Sequence, residues 1–107
     1  MAAVQTVTEG DFADKVVTAA GPVLVDFWAP WCGICARLNP VLDEVALSLG
    51  ESVRVVRVNV DENRGLAERH GIKSLPTLVL YGGGNILLTI TSYISQTDLE
   101  SRLKPWL

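Results

Sequence analysis

Cys32 and Cys35 are the two cysteines of the chain, and they stand three positions apart in Trp31-Cys32-Gly33-Ile34-Cys35. The apolar run Val23-Leu24-Val25-Asp26-Phe27-Trp28-Ala29 leads into them. Two thiols spaced C-x-x-C where a strand hands over to a helix can close a small disulfide ring or open to a dithiol. A helix N-terminus carries partial positive charge and unpaired N–H groups, so the first sulfur is favoured as the reactive thiolate. The pair therefore suits thiol–disulfide exchange. Two blander readings stand beside it: a buried, inert couple, or half of a zinc site. Zinc needs four ligands, and the one histidine, His70, lies far along the chain in a polar stretch, where it reads as a solvated surface residue.

Asp26 is the second group of chemical interest. An acid in the middle of an apolar strand is expected to be buried, and burial alone raises a carboxyl pKa. It suits either proton transfer near neutral pH or a purely structural role satisfied by neighbours.

The elements that position these groups can be read from periodicity. Thr8-Glu9-Gly10-Asp11 looks like a helix start with Thr8 as N-cap. Phe12, Val16 and Ala19 follow at helical spacing, and Gly21-Pro22 stops the helix. Val23 to Trp28 is apolar without alternation and reads as a strand buried on both faces. Leu38, Val41, Leu42, Val45, Ala46 and Leu49 fall on one helical stripe ending at Gly50, with Pro40 inside the helix and expected to bend it. Val53 to Val60, rich in β-branched residues, reads as a second strand. A short polar helix runs from about Asn63 to His70, and the charge-rich stretch Asp61-Glu62-Asn63-Arg64 with Glu68-Arg69 reads as a solvated face.

Thr77 to Tyr81 and Ile86 to Thr91 make two strands joined across Gly82-Gly83-Gly84-Asn85. A final helix runs from about Thr97 to Leu103, capped by Ser95 or Thr97. The order β-α-β-α-β, then α-β-β-α, implies a mixed sheet with helices on both faces.

Composition narrows the function classes. With 107 residues and neither a repeat nor a linker, the chain reads as one domain, 1–107. A net charge of −3, with no Lys/Arg cluster, argues against nucleic-acid binding. No apolar run approaches the roughly 20 residues a membrane span requires. The start Met1-Ala2-Ala3-Val4-Gln5-Thr6 has no basic region followed by an apolar stretch, so no secretory signal is expected. A reducing compartment is the default, and there a lone C-x-x-C is more often redox or metal chemistry than a staple.

The elements, with the Cys32–Cys35 motif between strand and helix, resemble the thioredoxin family nearly end to end. The resemblance rests on Val25-Asp26-Phe27-Trp28-Ala29, Trp31-Cys32-Gly33-Ile34-Cys35, Pro40, Asn59-Val60-Asp61, Gly71-Ile72, Leu75-Pro76-Thr77 and the glycine hairpin, in order and at matching separations. It implies an α/β thioredoxin fold, with a central mixed sheet of about five strands flanked by about four helices. It implies Cys32 as nucleophile, Cys35 as resolving thiol and Asp26 as the proton-transfer group, modulated by Arg57. Pro76 matches the family's cis-proline, and Trp31, Gly33, Ile34, Leu75, Pro76, Ser92 and Tyr93 would frame the docking surface. No bound cofactor or metal is implied, only the redox-active Cys32–Cys35 disulfide. The implied partners are disulfide-containing proteins and a thioredoxin-reductase-type electron donor, met by a monomer in the cytoplasm, or in an organelle stroma or matrix after removal of a transit peptide.

Three departures from the family pattern bear on function. Gly33-Ile34 replaces the usual Gly-Pro, restoring a backbone N–H in the helix's first turn. That donor is expected to stabilise the Cys32 thiolate and make the couple less reducing. Ala36 removes a common lysine, for which Arg37 can compensate in charge. Ser92-Tyr93 replaces a glycine-alanine pair and adds bulk beside Pro76. An isomerase- or oxidase-like exchanger, or a binding module with incidental redox activity, therefore remains an alternative to a disulfide reductase.

Overall fold

The computed structural model describes residues 4–107. The reading of Met1–Ala3 as free of a targeting signal lies outside them. Among the described residues five strands form one sheet: β1 Gln5–Thr6, β2 Val23–Trp28, β3 Arg54–Asn59, β4 Thr77–Gly82 and β5 Asn85–Ile90. Their order is β1-β3-β2-β4-β5, parallel on the β1, β3 and β2 side and antiparallel from β2 to β4 to β5. Three α-helices accompany them: α1 Gly33–Leu49, α2 Arg64–Arg69 and α3 Gln96–Leu103. A five-residue π-helical turn, Ala13–Val17, and two single 3-10 turns, Gly50–Ser52 and Lys104–Trp106, are the other helical pieces among the described residues. The mixed α/β architecture expected from the sequence is what the chain adopts.

β2 lies at the centre, and its side chains alternate between two cores. Leu24 faces a cluster with Leu38, Leu42 and Val45 of α1 and Leu99 and Leu103 of α3. Val23, Val25 and Phe27 face a second cluster with Phe12, Val16, Leu66 and Tyr81. This two-sided burial is why β2 carries no hydrophobic alternation. α1 keeps Pro40 in its interior. A mid-helix proline costs about 3 kcal/mol, whereas each buried leucine contributes roughly 1.5–3 kcal/mol. Leu38 and Leu42 are fully buried, so packing outweighs the backbone penalty.

Several local expectations are corrected. Thr8 does not cap a helix. Its backbone N–H donates to Asp11 Oδ1 at 2.7 Å, closing a turn, and the helical piece begins only after Phe12. Asp11 serves Thr8's amide here, so the segment turns before it winds. β1 is only two residues long and both are exposed, so no pattern marked it. α3 begins at Gln96 with Ser95 as cap, its side chain accepting from the Asp98 N–H at 3.2 Å. Gly83 and Gly84 sit at φ +58° and +81°, where only glycine is unstrained, and turn β4 tightly into β5.

The reading of His70 as a solvated residue is also overturned. His70 is part-buried, with Nδ1 2.9 Å from the Leu66 carbonyl and Nε2 2.6 Å from the Tyr81 hydroxyl. A carbonyl only accepts, so Nδ1 carries the proton and Nε2 accepts from Tyr81. The ring packs against Phe12 and Phe27, with centroids 5.2 and 5.0 Å away. Asn63, placed by sequence on a solvated face, is buried and accepts from the Glu9 N–H at 2.9 Å. Glu9 in turn accepts from the Leu66 N–H at 2.7 Å, and Gly65, lacking a Cβ, leaves room for that carboxylate.

Candidate active site

The head of α1 carries the chemistry. Cys32 leaves β2 in extended conformation and occupies the N-cap, where side chains that accept from the first turn are favoured. Its Sγ accepts from the Cys35 N–H at 3.2 Å. Cys32 and Cys35 form a disulfide, with Cα atoms 5.3 Å apart. Cys35 is 1% exposed and Cys32 8%, so Cys32 is the residue of the pair that an incoming group reaches more readily. The restored Ile34 N–H does not bond to sulfur; the hydrogen bond to Cys32 comes from Cys35, a donor that a proline at 34 would leave in place. Ile34 instead contributes one of the unpaired amides of the first turn.

Leu75 and Trp28 pack against Ala29, Cys32 and Cys35. The Leu75–Pro76 peptide bond is cis, matching the family expectation. Pro76 is buried and Leu75 half-buried. Trp31, 70% exposed, is held in place by a hydrogen bond from Nε1 to Asp61 Oδ2 at 2.9 Å. The parallel register pairs Trp28 with Asn59, so the segments leaving β2 and β3 emerge side by side. That register is the signal by which Asp61 could have been read from sequence. Trp31, Asp61, Arg64, Lys73 and Leu75 border a shallow groove of about 310 Å³.

Gly33, Ile34, Ser92 and Tyr93 are all exposed. Ser92 and Tyr93 lie in the segment between β5 and α3, and Tyr93 reaches α1, with the Arg37 guanidinium 5.7 Å from its ring centroid. Sequence reading gave Arg37 only a compensating charge; its contact with Tyr93, across 56 positions, had no local signature.

Asp26 lies on the α1 face of β2 and is 0% exposed. Neither carboxylate oxygen has a hydrogen-bond partner among the described residues. Burial pushes its pKa up to about 7, opposed by the charge of Arg57, whose Nε lies 3.8 Å from Asp26 Oδ2. The two residues are register partners across β2 and β3. Arg57 also approaches the Asn39 carbonyl and Asp43 Oδ1 of α1, each at 3.5 Å. Among the described residues no group of three His, Cys, Asp or Glu side chains is placed to hold a metal ion.

A ring of two sulfurs at a helix head exchanges two electrons with other thiols, which places the chain among thiol–disulfide exchange proteins. It belongs to the thioredoxin family, whose model matches residues 3–105. It is 42% identical over 103 residues to "Thioredoxin 1" of Synechococcus elongatus, covering 96% of each chain. It is 40% identical over 107 residues to the thioredoxin of Synechocystis sp., covering all of both. With the thioredoxin of Pseudomonas aeruginosa it shares 41% over 97 residues, 91% of this chain and 90% of the relative. The chain is a thiol–disulfide oxidoreductase whose redox centre is the Cys32–Cys35 pair.

Proposed function

We propose that the protein reduces protein disulfides, with Cys32 as nucleophile, Cys35 as resolving thiol and Asp26 as proton acceptor. The Cys32 thiolate attacks one sulfur of the substrate disulfide and expels the other substrate sulfur as a thiolate. Cys35 then attacks Cys32 in the mixed disulfide, releases the second substrate thiolate and leaves the Cys32–Cys35 disulfide. Two electrons pass to the substrate, and two protons follow. A reductase of the thioredoxin-reductase type returns the electrons.

The observation that carries this reading is the asymmetry of the pair: the more accessible cysteine caps the helix and accepts a backbone hydrogen bond, while its partner is buried. Asp26, without a hydrogen-bond partner and with its pKa brought near 7, suits deprotonation of the resolving thiol, and Arg57 tempers it. Trp31, Gly33, Ile34, Leu75, Pro76, Ser92 and Tyr93 form the docking surface, with the Leu75 backbone free to pair with an extended substrate segment. The chain works as one domain and as a monomer, carrying electrons in the cytoplasm or in an organelle stroma. Its cyanobacterial relatives and the absence of a described helix long and apolar enough to cross a membrane are consistent with this.

The test is trapping. With a disulfide peptide, Cys35→Ser should accumulate the mixed disulfide and Cys32→Ser should not. The reverse outcome would reassign the nucleophile. A redox potential tens of millivolts above that of ordinary thioredoxins would favour an isomerase-like exchanger, since about 30 mV is a tenfold change in equilibrium.

A further inference from the structure

We propose that Arg37, held over Tyr93, is a specificity residue that selects disulfide substrates carrying a carboxylate beside the reactive cysteine. The inference rests on the disulfide-reductase reading and concerns which substrates that site prefers. Arg37 lies two residues beyond Cys35 on α1 and is exposed. Its guanidinium sits 5.7 Å from the centre of the Tyr93 ring, within the range of a cation–π contact.

Among the described residues Arg37 has no ion pair, in contrast to Arg57 and Lys15, which both reach carboxylates. No acid stands three or four positions from it on α1, where the neighbours are Gly33, Ile34, Pro40 and Val41. The segment bearing Tyr93 cannot neutralise it either, because no charged side chain occurs between Lys73 and Asp98. The Trp31 side differs, since its acid, Asp61, is engaged by the indole N–H.

An arginine held near a ring face by a cation–π contact keeps its five N–H donors in one planar fork that remains available to a further partner. The matching group is a carboxylate, which can accept two parallel hydrogen bonds from that fork. The contact with Tyr93 also restricts the long side chain beforehand, so less freedom is lost when a substrate binds. Lysine would provide charge without the planar fork. Arg37 makes no contact with the exchanging sulfurs in this account; it selects rather than catalyses.

The experiment uses two disulfide-bridged peptides, identical except for Asp or Asn next to one cysteine. The pre-reduced protein reduces each in a single turnover at low ionic strength. The expected ratio of rate constants, Asp over Asn, is roughly three- to tenfold, the scale of one partly exposed charge-assisted interaction. Arg37→Ala should bring the ratio to near one, Arg37→Lys should leave it intermediate, and Tyr93→Phe should preserve it better than Tyr93→Ala. Salt should erode it. A ratio near one in the unaltered protein overturns the proposal. So does a ratio unchanged by Arg37→Ala, because a uniform slowing of both peptides would mean that the guanidinium acts on the Cys32 sulfur. If neither peptide is reduced at all, the disulfide-reductase reading itself fails, which is a distinct result.

Discussion

Asp26 shows how much one side chain can change the behaviour of the whole fold. Its pKa is raised from 3.8 to about 7 in the folded chain, so between these values the folded state binds more protons than the unfolded one. The stability that Asp26 contributes is therefore fully present below about pH 4, declines as pH rises toward 7, and is gone above it. The contribution lost is up to about 4 kcal/mol at roughly 1.4 kcal/mol per pKa unit. Asp26→Asn should flatten this slope and raise stability at pH 8, as chemical denaturation at pH 4.5 and pH 8 would reveal. An unchanged slope would mean that Asp26 titrates normally. Ile34 is the other residue with a measurable signature. Replacing it by proline removes one of the first-turn amides whose combined field is worth about 0.3–1 kcal/mol toward an anion at a helix N-terminus. Ile34→Pro should therefore lower the redox potential by no more than about 20 mV. A potential that stays constant or rises would show that this amide does not favour the thiolate.

At the scale of elements, α2 is tied down from three sides. Glu9 accepts from its Leu66 N–H, Asn63 bridges Glu9 and Asn59, and His70 links its end to Tyr81 of β4. Tyr81→Phe would leave His70 Nε2 without its donor and should cost about 1–3 kcal/mol, read as a lower urea midpoint at unchanged m-value. A midpoint that does not move would put His70 back among solvated residues. These ties also mark where the sequence stops being legible. β2, α1 and the β4–β5 hairpin announce themselves because periodicity and glycine punctuation are local. The Cys32–Cys35 pair and the burial of Asp26 were legible for the same reason, each lying in or beside a strand whose pattern is plain, whereas the cis bond before Pro76 was expected only from the family resemblance. His70, Asn63, Asp61 and Arg37 were not legible, because their partners lie 11 to 56 positions away and become neighbours only once the register is fixed. Thr8 misled because a threonine followed by an acid three residues on reads as a cap whether the chain continues as helix or closes a single turn.

For the whole molecule, the sheet keeps chemistry and stability apart. The cysteines lie where β2 gives way to α1, while most of the buried apolar side chains form the two clusters on either face of the sheet. Ile34, in the first turn of α1, and Tyr93, between β5 and α3, are both exposed, so changes at these positions leave either core undisturbed. The sheet ends differently at its two margins. β1 is two residues long, but β5 is a six-residue outer strand. It carries Ile86, 52% exposed, within a stretch that has no charge from Ser74 to Thr97. An outer strand with free backbone donors and acceptors and no charged gatekeeper is a template for pairing with another chain. On heating or at high concentration, clumping should begin at β5. A lysine in place of the exposed Thr89 should delay the onset of light scattering without changing the rate of disulfide reduction. An unaltered onset would locate the sticky surface elsewhere. The hairpin that braces the cis-proline loop is thus also where the chain is most exposed to association with its own copies.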